Sequence, residues 1–321
     1  MSNSQHDFQG GYRYLFGPVP SRRLGRSLGV DLVPVKTCTF NCPFCEVGLT
    51  TAHTLERREY VPVDAVLAEF DAWLQSGGRA DIITVAGSGE PTLHARFGEI
   101  LSGIAARCDI PTALLTNSSL MHLPEVRAGA ANASIIKVSL SAWNQDSFMR
   151  VNQACPSLSF KAMVDGLRAL RKEYSGRMWM EVFLMAGVND DPADVKRIAE
   201  LAAGIRPDRI QLNTVVRPPA DGLAATVPTE TLQELAELFT PQAELIAGFK
   251  GEPGQAASAT ETEIVNMLAR RPCTAADIAA SFGIGEKDSE MLLTRLKESN
   301  RLSAEPREDG VYYLAKVRRL L

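Results

Sequence analysis

Several absences bound the problem before any motif is read. The 321-residue chain has no stretch of about 18 apolar residues, so no membrane-spanning helix is expected. Charge of neither sign dominates. Lys and Arg number 34 against 38 Asp and Glu, a formal net charge of −4, which excludes a global nucleic-acid footprint. Cysteine is scarce, with six in the whole chain, three of them inside eight positions, and that is not the distribution of a secreted disulfide framework. Histidine is scarcer still, at four. Residues 1–11 are polar and unpatterned, with no apolar signal core; the expectation is a disordered start and a cytoplasmic, reducing location.

What is present suffices for a large core, since 45% of residues are hydrophobic. Strand-like apolar runs at 28–35, 82–86, 112–116, 135–141, 178–185, 210–215 and 243–249 alternate with helical patterns at 62–76, 95–107, 123–129, 145–151, 160–174, 193–204 and 228–239. Alternation of this kind predicts an α/β fold with a parallel sheet. Six or seven units fall short of a full eight-unit barrel, so a partial (β/α)6 TIM-like barrel is expected over 12–249. Between 16 and 26, Gly and Pro break the pattern. Residues 250–260 read as a linker rich in Gly, Ala and Pro. From 261 to 321, three short helices and two short strands predict a small α+β domain resembling a winged helix-turn-helix. That segment holds ten acids and ten basic residues, and its groove-reading helix would open with Glu286, Asp288 and Glu290. Those charges oppose DNA and favour docking of a protein partner or of substrate.

The chemistry concentrates at Cys38-Thr39-Phe40-Asn41-Cys42-Pro43-Phe44-Cys45, a C-x3-C-x2-C run. Three thiolates so spaced can ligate an iron–sulfur cluster or form part of a zinc site. A closed zinc site needs a fourth ligand, from His53 or a distant cysteine, because no second CxxC pair exists. Three-cysteine ligation of a [4Fe–4S] cluster instead leaves one iron open to an outside ligand. The spacing, with aromatic Phe44 before the third cysteine, resembles the signature of the radical S-adenosylmethionine superfamily.

That resemblance implies a [4Fe–4S] cluster on Cys38, Cys42 and Cys45 whose open iron chelates the amino and carboxylate groups of S-adenosylmethionine. Reductive cleavage would give methionine and a 5′-deoxyadenosyl radical that abstracts hydrogen from a substrate. The electron would come from a one-electron reductant such as flavodoxin or ferredoxin. Gly87-Ser88-Gly89-Glu90-Pro91, at a strand end, resembles the superfamily's Gly-Glu-Pro turn, with Ser88 where glycine is commoner. Small residues there let the ligand lie against the main chain. Asn117 follows the third strand, where the family often carries Thr-Asn. Ser139 and Ser141 end the fourth, where relatives bond the ribose, many with a carboxylate in place of Ser141. Residues 184–190 match the region that contacts adenine.

Strand alternation adds a face carrying Lys137, Ser139 and Ser141, with Glu181 on the next strand and Gln211 and Asn213 on the one after. Parallel sheets are usually covered on both sides, so this polar face should line the lumen. With this face added to what the resemblance implies, the expected S-adenosylmethionine set is Phe44, Gly87, Ser88, Gly89, Glu90, Asn117, Ser139, Ser141, Glu181 and Asn213. Arg22, Arg23 and Arg26 lie in a segment, 12–58, with seven basic residues against three acids. They form either a solvated surface or an anion-attracting rim; with Lys137, Gln211 and Arg217 they are the candidate substrate contacts. Residues 17–25 (Gly-Pro-Val-Pro-Ser-Arg-Arg-Leu-Gly), with Gln211-Leu212-Asn213 and Arg217-Pro218-Pro219, resemble a branch described as wyosine-synthase-like. Cys108, Cys155 and Cys273 are too scattered for a second cluster and read as small buried residues. His53, a possible fourth ligand, and His94, after the Gly-Glu-Pro turn, read more readily as surface or structural residues than as site residues. The substrate is open, with transfer RNA and a small anionic metabolite both compatible. The competing class is a redox-sensing iron–sulfur regulator that binds DNA through its C-terminal domain.

Overall fold

The computed structural model describes residues 12–21, 24–246, 260–307 and 310–316. Residues 1–11, Arg22, Arg23 and most of the expected linker lie outside them. Along the chain run β1 (Leu15–Ser21), β2 (Gly25–Val30), β3 (Thr37–Cys38), β4 (Ala52–His53), α1 (Val63–Gln75), β5 (Ile82–Val85), α2 (Phe97–Ala105) and β6 (Thr112–Leu115). Then come α3 (Pro124–Ala130), β7 (Ile135–Ser139), α4 (Gln145–Asn152), α5 (Phe160–Glu173), β8 (Arg177–Leu184), α6 (Pro192–Ile205), β9 (Arg209–Thr214), α7 (Thr229–Ala236) and β10 (Glu244–Leu245).

One sheet takes the order β1-β2-β5-β6-β7-β8-β9-β10. Within it, β2 and β5 to β9 are six successive parallel strands, each followed by helix, which makes the expected (β/α)6 partial barrel. The helices form because their apolar residues recur at helical spacing and their ends are capped. In α1 the buried Val63, Val66, Phe70 and Trp73 share one face. Ser159 caps α5, and Asp191 caps α6 ahead of Pro192. On the lumen side, Ile82, Ala113, Ile135 and Trp179 close the floor of the barrel at the strands' N-terminal ends.

Three strand expectations change. The Gly- and Pro-rich 16–21 segment is not a break but part of β1, antiparallel to β2 at the sheet edge, with a bulge between Phe16 and Val19. An edge strand tolerates prolines because one side of its ladder is unpaired. β2, expected to reach 35, stops at Val30, where Asp31 enters a buried network. The 243–249 strand is a two-residue β10, and 247–249 lie outside the described residues.

The C-terminal segment folds as α8 (Glu261–Arg270), α9 (Ala275–Phe282), α10 (Glu286–Glu298) and the antiparallel pair β11 (Leu302–Arg307) and β12 (Gly310–Ala315). Thr260 with Glu263 and Thr274 with Asp277 form capping boxes, and Gly283 ends α9 in the left-handed conformation. Ile264, Met267, Ile278, Leu293 and Leu302 build a second apolar cluster that takes in Val19 of β1. The segment is thus packed on the barrel's edge strand. No helix among the described residues is long and apolar enough to cross a membrane.

Candidate active site

The three cysteines lie on the loop that leaves the C-terminal end of β2, and the rest of the molecule holds that loop from two sides. On one side, Asn41 N–H donates to the Asn152 carbonyl (3.2 Å), Cys155 N–H donates to the Thr39 carbonyl (2.9 Å), and the Phe40 ring packs edge-on against Phe148 (5.2 Å). On the other, β3 pairs with β4, and the loop backbone bonds to the 87–90 turn. Each sulfur then meets its own nitrogen donor. Lys36 Nζ lies 3.0 Å from Cys45 Sγ, Asn117 Nδ2 3.6 Å from Cys38 Sγ, and Asn152 Nδ2 3.7 Å from Cys42 Sγ.

Burial pushes the Cys38 thiol up to about 12, helped by the charge of Glu90, and raises Cys42 as well, with its two neighbouring thiols adding to the effect. Three sulfurs, each faced by an N–H donor and one by a cation, suit thiolate ligands of an iron–sulfur cluster. No group of three or more His, Cys, Asp or Glu among the described residues converges on a point where one ion would sit. Nor does His53 serve as a fourth ligand: its Nε2 lies 3.0 Å from the Thr39 carbonyl. His94 is structural, fully buried, with Nε2 donating to the Val61 carbonyl (2.8 Å) and Nδ1 accepting from Arg96 N–H (3.2 Å).

The 87–90 turn is laid directly against the cysteine loop. Lys36 N–H donates to the Ser88 carbonyl (2.7 Å) and Glu90 N–H to the Thr37 carbonyl (3.1 Å). A Cβ on Gly89 would stand 2.0 Å from the Thr37 oxygen, and one on Gly87, at φ +147°, would stand 2.5 Å from the Asp31 carboxyl carbon. Only glycine allows these approaches. Glu90 serves the turn internally. Its Oε1 accepts from Thr92 N–H (3.1 Å), Thr92 Oγ1 (2.5 Å) and Thr116 Oγ1 (2.7 Å), and its Oε2 from Asn117 N–H (2.8 Å). Burial still raises its pKa against these donors. Beneath the turn, Asp31 accepts from Ser88 N–H (3.2 Å) and from its hydroxyl.

Parallel register aligns Ser139, Glu181 and Gln211 across β7, β8 and β9. Lys137 Nζ pairs with Glu181 Oε2 at 2.6 Å, and Asn213 Nδ2 donates to Glu181 Oε1 at 3.2 Å. The Ser139 hydroxyl donates to the Thr116 carbonyl (3.4 Å), while that of Ser141 accepts from Phe183 N–H (2.9 Å). Phe44 stacks on Phe183, with ring centroids 4.1 Å apart. Near the mouth, Arg217 pairs with Glu46 at 3.2 Å. Gln211 Oε1 and Arg217 Nε are buried without a hydrogen-bond partner among the described residues.

Phe44, the 87–90 turn, Asn117, Ser139, Ser141, Glu181, Asn213 and the cysteine loop are thus carried by the C-terminal ends of the strands or the loops that follow them. One expectation fails. Arg26 sits at the start of β2, paired with Asp81 just before β5, at the opposite end of the barrel from the cysteines. It is no part of a rim over the site; Arg22 and Arg23 lie outside the described residues. Four further residues bear on the site: Lys36, Asn152, Asp31 and Arg270. Lys36, two positions before Cys38, was visible as a cation; the others reach the site only through tertiary folding.

An open parallel barrel with a three-thiol loop at its C-terminal end defines a class of iron–sulfur enzymes. Residues 32–202 match the radical SAM superfamily, and the chain belongs to it. Its enzymes use a [4Fe–4S] cluster and S-adenosylmethionine. Within the superfamily it stands with the UPF0026 proteins: one from Synechocystis is 33% identical over 208 residues, 64% of this chain and 76% of that protein. A protein from Brachyspira hyodysenteriae named GTPase Obg is 34% identical over 295 residues, which are 91% of this chain but only 43% of that protein. The crystal structure of a radical SAM methyltransferase from Sphaerobacter thermophilus superposes with a TM-score of 0.51 at 19% identity, over 68% of this chain and 66% of that one, a likeness of fold.

Proposed function

We propose that this enzyme holds a [4Fe–4S] cluster on Cys38, Cys42 and Cys45, seats S-adenosylmethionine against the 87–90 turn, and acts on a substrate entering over the Glu181 row. The carrying observation is the pairing of each thiol with one nitrogen donor in a loop bonded directly to that turn. When bound, the two cofactors supply a 5′-deoxyadenosyl radical that takes hydrogen from the substrate.

The residues of this chain have separate tasks. Lys36 offsets negative charge at Cys45, and Asn117 and Asn152 orient the other two sulfurs. Gly87 and Gly89 leave room for the turn's close packing. Phe44, stacked on Phe183, walls the site on its apolar side. The ion pair of Lys137 with Glu181 fixes a polar floor, beside which Gln211 and Arg217, each with a buried polar atom that has no hydrogen-bond partner among the described residues, are the candidate substrate contacts. The three helices and strand pair of the C-terminal segment are read as a winged-helix-like module for a protein partner or substrate. The acidic start of α10 argues against DNA.

Anaerobic reconstitution with iron and sulfide, then dithionite and S-adenosylmethionine, tests the reading. About four irons per chain with methionine and 5′-deoxyadenosine in equal amounts are expected. Stoichiometric zinc with almost no iron, or a loaded cluster that yields neither product, would overturn it.

A further inference from the structure

The most deeply buried ion pair joins the C-terminal segment to the underside of the 87–90 turn. Arg270, the last residue of α8, donates from Nε to Asp31 Oδ2 at 3.1 Å, and both side chains are 1% exposed. Its other nitrogens donate to the carbonyls of Asn266 (3.1 Å) and Arg13 (3.3 Å), and its guanidinium lies 4.7 Å from the Phe16 ring centroid. Asp31 turns its two oxygens to Ser88 N–H and Ser88 Oγ, while its carboxyl fills the space that a Cβ on Gly87 would need. The chain of contact is therefore continuous: α8, Arg270, Asp31, Ser88.

We propose that Arg270 is a positioning residue for the S-adenosylmethionine turn, so that seating of the C-terminal segment and binding of the cofactor are coupled. The proposal rests on the reading that the 87–90 turn receives S-adenosylmethionine. Two features support it. A carboxylate so fully withdrawn from water requires a paired cation, and the cation comes from α8 and not from the barrel. Ser88 supplies the hydroxyl that ties this carboxylate to the turn. Without Arg270, Asp31 would have to recruit water or turn away, and Ser88 would move with it. Coupling of this kind is reciprocal: a partner that loosens α8 would weaken cofactor binding, and the cofactor would tighten α8.

Equilibrium dialysis of S-adenosylmethionine against the full-length, cluster-loaded chain tests this under anaerobic conditions, with wild type, Arg270→Met, Arg270→Lys, Ser88→Gly and the double variant R270M/S88G. Arg270→Met should bind about tenfold more weakly, Arg270→Lys should recover part of the loss, and the effect of Arg270→Met should shrink in the S88G background. Wild-type affinity in an Arg270→Met protein that merely melts earlier, or an equal loss in both backgrounds, would reduce Arg270 to a structural pair and overturn the proposal. Should Arg270→Met fail to fold, hydrogen exchange on the wild type decides. S-adenosylmethionine should slow exchange across 261–270, and unchanged exchange with the cofactor bound would overturn the coupling. Failure of the wild type to bind S-adenosylmethionine at all would overturn the cofactor reading along with it.

Discussion

The two ends of β2 carry the same chemistry in opposite surroundings. At its start Arg26 meets Asp81, with side chains 38% and 50% exposed; just past its end Asp31 meets Arg270, both 1% exposed. Water screens the first pair, so it adds little to stability. The second pair is dry and satisfied on every side, and breaking it leaves a buried charge. The contrast extends to the whole barrel. Its N-terminal end is closed by Ile82, Ala113, Ile135 and Trp179, whereas its C-terminal end gathers the thiols, the glycine turn and the Glu181 row. Buried, partnered polar groups thus gather at the C-terminal end, and apolar packing closes the other.

Substitutions at the two ends should diverge accordingly. Cys42→Ala, the most severe, should abolish the reconstituted cluster's visible absorbance and all S-adenosylmethionine cleavage. Retained cleavage would detach the loop from the chemistry. Arg270→Met should cost about 3–5 kcal/mol in denaturant unfolding; a loss under about 1 kcal/mol would erase the difference between the ends. Lys36→Met should leave iron content intact but lower the cluster's reduction potential, by on the order of tens of millivolts, because a cation near a ligand sulfur favours the more negative reduced cluster. An unchanged potential in redox titration would mean that Lys36 does not act on the cluster.

Arg26→Ala should be mildest, under about 1 kcal/mol with unaltered cleavage. The Asp81 carboxyl is held below the usual range, first by Arg26 N–H and then by the guanidinium. A depressed pKa stabilises the fold above the ordinary aspartate value of about 3.9. The small difference between wild type and Arg26→Ala should therefore fade as pH falls through the folded value. A difference that grows in acid would contradict this assignment.

What could be read from sequence was local. Cys38, Cys42 and Cys45 and the Gly87–Ser88–Gly89–Glu90 run declare themselves by spacing, and period-two alternation put Lys137, Glu181 and Gln211 on one face of the sheet. Arg26 is near the cysteines in sequence but far from them in space. From Arg26 to Asp31 a strand climbs roughly 3.3 Å per residue, about 16 Å, the depth of the barrel. β1 carries no strand signal in the sequence, because its glycine and prolines hide an edge strand. Asn152, 110 residues from Cys42, and Arg270, 239 from Asp31, carry no local signature. They join the site only after the barrel closes and α8 docks on β1.

The proposed site at the C-terminal end of this barrel would leave one iron open for S-adenosylmethionine. Electron paramagnetic resonance of the dithionite-reduced, reconstituted wild type, with and without S-adenosylmethionine, tests it most directly. A [4Fe–4S] signal whose g-values shift when S-adenosylmethionine is added is expected. A signal unaltered by saturating S-adenosylmethionine would contradict it.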